Sequence, residues 1–312
     1  MKKDVLCIGS ALVDFTLWPA DPERIVREHF QVESSDIGIG GCGGNASMGF
    51  ASLGKTTSLL ARLGSDVLSD LARGILSKGG VDLSHLAVDP VLEIGRTLVL
   101  VSQNGERRFL YKPGANAHLC QADCSGIQIS QFSLIHSTDL FLLPEVQGKP
   151  LVSMLQEARK SGVLTSLDTV WDPSGRWFKT LEPLLPHLDY LFVSTEEAVH
   201  IFPGLDPQEQ VSAFLERIPG TVVLKRGENG CLIGRGDQRF SVKPQFIKAK
   251  DTTGAGDAFT ASFMCCVLEG MDLQRTARIA TAFAGEVIQF LGATSGLKPY
   301  ASVAAFAEER GL

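Results

Sequence analysis

Short apolar runs rich in β-branched residues alternate with amphipathic stretches along most of this chain, and that alternation limits the folds open to it. Val5 to Gly9, Thr57 to Leu63, Leu134 to His136, Val163 to Asp168, Tyr190 to Val193 and Val222 to Lys225 read as strands. Asn45 to Leu53, with Gly54 placed to end it, reads as a helix, as do Val67 to Leu76, Leu151 to Lys160 and Gln208 to Arg217. After residue 255 the pattern is mostly helical: Asp257 to Glu269, Leu273 to Phe290 and Ser302 to Glu309. Strands alternating with helices imply an α/β fold of three layers, a mostly parallel central sheet with helices on both faces.

Two stretches break the rhythm. Residues 11–40 lack a clear buried helix, and residues 94–118 hold a hairpin pattern. Gly95 to Val101 and Arg107 to Tyr111 flank Asn104-Gly105, a strong two-strand turn signal. Their polar flanks predict a small sheet outside the main one, a lid. No repeat or linker interrupts the 312 residues, so one domain over 1–312 is expected, with the lid inserted in it.

Composition removes several functions. A chain that is 44% hydrophobic and 21% charged is not disordered. The net charge of −6 comes without any basic block, which excludes a nucleic-acid partner held through phosphates. The run after Met1-Lys2-Lys3 is short and ends near Asp14, so it reads as a buried first strand and not a leader. No run of 18 apolar residues is present, so no membrane span is expected. Seven cysteines without a disulfide or zinc rhythm suggest reduced, mostly buried thiols in a cytoplasmic protein.

Two phosphate-loop patterns fail on context. Gly49 to Thr56 fits G-x-x-x-x-G-K-T, but a helix precedes it and a strand follows, the reverse of what a phosphate cradle needs. Gly38-Ile39-Gly40-Gly41-Cys42-Gly43 fits G-x-G-x-x-G, but the polar residues 31–36 before it do not read as a buried first strand.

Asp251-Thr252-Thr253-Gly254-Ala255-Gly256-Asp257 passes the same test. Small residues let backbone approach a ligand, and the helix that starts at once turns its unpaired amides outward, an anion site suited to phosphate. Asp257 is then either a helix N-cap or a carboxylate that takes a proton from an attacking hydroxyl.

This segment, with Gly9 to Asp14 and Gly40-Gly41-Cys42-Gly43-Gly44-Asn45-Ala46, resembles the two signatures of the ribokinase-like (PfkB-type) carbohydrate kinase family. The resemblance runs along nearly the whole chain and implies the ribokinase-like fold. It also implies ATP-dependent phosphorylation of a hydroxymethyl (alcohol) group of a monosaccharide, with Mg²⁺ and, in many members, K⁺. By the resemblance Asp257 is the general base, and Gly254, Ala255 and Gly256 form the anion hole. Asp14, Gly41 and Asn45 bind sugar, and Glu145 is similar to a carboxylate that some members use on it. Lys225, Gly227 and Gly230 resemble the turn over the nucleotide. Asp251 and Thr253, with 292–295, match a potassium site, and Glu197 the carboxylate that arranges magnesium through water. Ser194 departs from the usual Asn there.

Beyond the resemblance, Arg96 and Arg107 on the lid either reach substrate or guard an edge. Asp168 and Trp171 sit after a strand end that faces the ligand crevice, and core packing explains Trp171 and Trp177 equally well. The six histidines form no metal pair. The exposed lid edges suggest a homodimer. The alternatives are a nucleoside kinase of the same fold and a non-catalytic sugar-binding homologue.

Overall fold

The computed structural model describes residues 3–21, 25, 29–103, 105–244 and 247–312. Strands β1 (Lys3–Ile8), β2 (Leu12–Trp18), β3 (Ser34–Gly40), β4 (Thr57–Leu60), β5 (Arg62–Leu63), β6 (Val81–Asp82) and β7 (Ala87–Val88) come first. They are followed by β8 (Arg96–Val101), β9 (Arg107–Lys112), β10 (Phe132–Ser137), β11 (Leu164–Asp168) and β12 (Tyr190–Ser194). The series closes with β13 (Thr221–Lys225), β14 (Cys231–Arg235) and β15 (Gln238–Val242).

Nine of them form one sheet in the order β15-β14-β13-β12-β11-β10-β1-β4-β6. Its pairs are parallel from β6 to β13 and antiparallel at β14 and β15. The central strands are buried on both faces because their residues are apolar on both. Val5 and Cys7 of β1 pack into one core, Leu6 and Ile8 into the other. Tyr190 and Phe192 of β12 divide from Leu191 and Val193 in the same way. Helices Cys42–Ser52, Ala255–Leu268 and Leu273–Val287 cover the first core, and Lys149–Lys160 and Pro207–Leu215 the second. This is the three-layer α/β plan expected from the alternation of strands and helices.

A separate four-stranded sheet, β3-β2-β8-β9, occupies the two stretches where the rhythm breaks. The β8–β9 hairpin forms as expected, though Asn104 of its turn lies outside the described residues. β3 is not a buried first strand, in keeping with the reading of 31–36, but an edge strand of this small sheet that the sequence did not signal. Its Ser, Asp and Gly residues have low β propensity, yet seven residue pairs register it against β2, and tertiary pairing overrides propensity.

The Lys55 motif lies where its context placed it. The Cys42–Ser52 helix ends before it, β4 follows, and Lys55 Nζ is 2.8 Å from Glu269 Oε1. From much farther along the chain, the Tyr300 amide donates to Ser52 O at 2.7 Å and closes that helix end. Among the described residues no helix is long and apolar enough to cross a membrane. All seven cysteines are free, and four of them are buried.

Candidate active site

The carboxyl ends of the parallel strands gather the polar chemistry, as open α/β sheets do. Gly9 follows β1, Asp139 follows β10, and Asp168, Ser194 and Lys225 end β11, β12 and β13. Of the helices that start at this edge, two differ in their first turns in one decisive way.

The Cys42–Ser52 helix has its amides satisfied internally. Asp139 Oδ2 accepts from Ser10 N at 2.8 Å and Gly43 N at 3.1 Å, and Oδ1 accepts from Cys42 N at 3.4 Å. Gly44 N donates to Ser10 O at 2.8 Å. Among the described residues the amides of 42–45, the helix-start part of the G-x-G-x-x-G match, are therefore all taken. A Cβ on Gly43 would lie 2.6 Å from Gly9 backbone, so two chain segments touch where neither has room for a side chain.

The Ala255–Leu268 helix is open. Among the described residues the amides of Gly256 and Asp257 have no acceptor, and the N-cap, Gly254, supplies no side chain. Gly254 holds φ 76°, and a Cβ there would come within 2.7 Å of Ala293 O. Helix-start amides that lack partners, at the positive end of the dipole, make an anion site.

Asp257 is not the N-cap but a buried first-turn residue. Its Oδ2 accepts from Asn45 Nδ2 at 2.8 Å, which joins the two helix starts. Burial, then the nearby charge of Asp168, raises its carboxyl to about 7. Such a group is poised to exchange a proton near neutral pH. Asp168 is likewise raised by burial, to about 6, and accepts from Lys225 Nζ and from Thr260 Oγ1 at 2.8 Å. Burial alone would lower Lys225, but the charges of Asp168 and Glu197 override it and keep the ammonium protonated.

A cleft of about 1500 Å³ runs along this edge. Lys225, Gly227, Gly230, Glu197 and Gly254 to Asp257 line it. Arg107 reaches it from β9, whereas Arg96 pairs with Glu93. Asp14 and Asn45 are not part of the lining; both are buried, and among the described residues the Oδ1 of each lacks a partner. A Cβ on Gly40 would overlap the Asp14 carboxyl, so that group sits tight against the glycine strand before Gly41. Burial raises Asp14 to about 6. Asp251 Oδ1 accepts from Thr253 N at 2.9 Å and Thr253 Oγ1 at 2.6 Å, while Oδ2 accepts from Gly292 N at 2.9 Å. It ties the anion-hole loop to the 292 loop.

Ser194 and Glu197 form a capping box. Ser194 Oγ accepts from Glu197 N at 3.2 Å, and Glu197 Oε2 accepts from Ser194 N at 2.9 Å and Thr169 Oγ1 at 2.6 Å. Ser and Asn are equivalent N-caps, so the departure at 194 keeps the helix start. Ser194→Asn should leave stability within about 0.5 kcal/mol, while Ser194→Ala should cost about 1 kcal/mol. Urea unfolding of both variants reads the difference.

Glu145 stands apart from the cleft lining, exposed and 2.9 Å from His118 Nδ1. Trp177 is buried and stacks on His200 with centroids 4.9 Å apart, while Trp171 is exposed and meets both rings edge-on. Asp139 and Thr260 had no signal in the sequence beyond their place at a strand end and a helix start.

The pfkB family carbohydrate kinase model matches residues 2–299. An uncharacterized sugar kinase from Archaeoglobus fulgidus is 27% identical, covering 80% of this chain and 98% of that protein. Ribokinase from Haemophilus influenzae is 24% identical over 95% of this chain and 96% of its own. A putative ribokinase II from E. coli, solved in complex with ATP and Mg²⁺, superposes with a TM-score of 0.84 at 20% identity over 98% of this chain and 99% of that one. With the family model covering nearly every residue, and with an open anion site beside a buried carboxylate, the chain belongs to the pfkB family of carbohydrate kinases.

Proposed function

We propose that the protein transfers the γ-phosphoryl group of ATP to a hydroxymethyl group of a monosaccharide. The observation that carries this reading is the buried Asp257 carboxylate, held by Asn45 beside two open amides. Asp257 takes the proton of the acceptor hydroxyl as its oxygen attacks phosphorus. The open amides of Gly256 and Asp257 meet the charge on the phosphoryl oxygens, and most of the rate comes from that preorganised charge and from positioning. The unpartnered Oδ1 atoms of Asp14 and Asn45 are acceptors for sugar hydroxyls, with Gly41 beside them. Gly227 and Gly230 border the nucleotide. The small sheet closes over the acceptor and keeps water from consuming ATP.

The donor set suits magnesium. Glu196 and Glu197 border the cleft, Glu197 Oε1 has no partner among the described residues, and this ion takes one or two carboxylates plus phosphate oxygens. When bound with ATP it neutralises phosphate charge. Asp251 and Thr253 shape the loop pair proposed to hold potassium. Phe109 and Leu110, exposed on the edge strand β9, support a homodimer through the lid, which sedimentation would read.

ADP release is the assay, with Mg-ATP against pentoses, hexoses, sugar acids and nucleosides, in potassium and in tetramethylammonium. Turnover on a sugar is expected. Turnover on nucleosides alone would replace the acceptor class, and sugar binding without ADP would make this a non-catalytic homologue. The rate should also report the base. A carboxylate must be deprotonated to act, so kcat/KM should fall as pH drops through about 7 and level off above about 8. A flat profile from pH 5.5 to 8 would remove Asp257 from the proton transfer.

A further inference from the structure

One partly buried cation in this site, Lys225, is not explained by the nucleotide turn. Lys225 ends β13, yet its side chain leaves the turn and reaches across the end of β12 to Asp168 on β11. Asp168 holds it with both oxygens, at 2.5 and 2.7 Å, and Thr260 Oγ1 fixes Oδ2 from the Ala255–Leu268 helix. A Cβ on Gly256 would lie 3.2 Å from Lys225 Nζ. The ammonium therefore lies beside the open helix start, and a side chain at 256 would crowd it. Lys225, Asp168, Gly256 and Asp257 all line the cleft.

A buried ion pair is a poor device for stability, because desolvation consumes most of its attraction. At a cleft wall it is a good device for holding a charge in place. An ammonium carries three donors, the two Asp168 oxygens lie too close together to engage all of them, and Lys225 also lines the cleft. A cation fixed beside where charge develops needs no reorganisation during the reaction.

Resting on the kinase reading above, we propose that Lys225 is a catalytic residue that grips the transferred γ-phosphoryl group, with Asp168 as its positioning residue. In the step, the acceptor oxygen bonds to the γ-phosphorus and the bond from that phosphorus to the ADP oxygen breaks. The acceptor proton goes to Asp257. Lys225 keeps its proton throughout and contributes charge and hydrogen bonds only. Because ADP lacks the group it grips, Lys225 discriminates ATP from ADP.

The test compares Lys225→Met and Asp168→Asn with the wild type, reading kcat, KM and the separate affinities for Mg-ATP and Mg-ADP by calorimetry. Lys225→Met should lower kcat by about 10²–10³, the loss typical of one electrostatic donor. It should leave ADP affinity within about threefold and abolish the preference for ATP. Asp168→Asn should lower kcat about tenfold with acceptor KM unchanged, a split that a merely structural role would not produce. A kcat within about threefold of wild type in Lys225→Met overturns the proposal, as does a parallel fall in ATP and ADP affinity. Should Lys225→Met unfold, from the carboxylate left unpaired, the double variant Lys225→Met/Asp168→Asn removes both charges and reads the same two quantities. If the wild type makes no ADP with any acceptor, the kinase reading fails, while the ATP to ADP affinity ratio still decides Lys225.

Discussion

Asp257→Asn is expected to lower kcat by about 10³ and, at pH 8, to raise the melting temperature. The two effects share one cause. Burial and the charge of Asp168 hold the carboxyl near 7, well above its value in an unfolded chain. A carboxyl raised on folding binds its proton more tightly in the native state, so stability grows as pH falls and is lost as pH rises through about 7. Each unit of such a shift is worth about 1.4 kcal/mol at a pH above both values. The amide variant removes that charge and still offers an oxygen to Asn45 Nδ2. Activity and stability therefore move in opposite directions, as they do where a site is strained for its chemistry. Residual activity above a tenth of wild type would sink the assignment of the base. A lower melting temperature at pH 8 would show instead that the carboxylate supports the fold.

The largest loss of stability should come from Asp139→Ala. Three backbone amides and the Thr138 hydroxyl, 3.0 Å from Oδ2, depend on this one buried carboxylate. Each buried donor left without a partner costs about 1–3 kcal/mol, and among the described residues the Ser10 and Gly43 amides have no other acceptor, so a total of about 2–6 kcal/mol is expected. That is comparable with the whole stability of a typical domain. Asp139→Asn should recover part of it. The residue sits at φ 55°, a conformation Asn accepts, and the amide oxygen keeps one acceptor. Denaturant midpoints that place Ala and Asn together, near wild type, would mean that water replaces the carboxylate without difficulty.

The sequence made the layered α/β plan legible because periodicity is local: each buried strand and amphipathic helix carries its own pattern. It also made the open helix start legible, since Gly254 to Asp257 are contiguous. What it hid depends on separation. Asp139 meets Ser10 and Gly43 from a distant part of the chain, and an aspartate after a strand carries no motif. The Lys225–Asp168 pair spans 57 positions. β3 was hidden for another reason: its residues disfavour strands, and only its partner β2 makes it one. β15 escaped because a half-exposed edge strand carries little apolar signal, and β14 because its buried run, Cys231 to Gly234, is only four residues long and follows a glycine turn.

The helix that carries Asn45 is closed at both ends by residues made much later. Asp139 holds its start, and the Tyr300 amide holds its end at Ser52. A ribosome adding about 5–20 residues per second needs on the order of 10–50 s to go from position 52 to position 300. For that time the helix lacks its closing bond, and its apolar face waits for the Ala255–Leu268 helix, which is also still to come. The acceptor side of the site is thus assembled after translation has passed it, in one late docking event. Until then the nascent chain exposes a surface that holdase chaperones recognise, and a stall anywhere before residue 255 leaves a product with neither base nor anion hole.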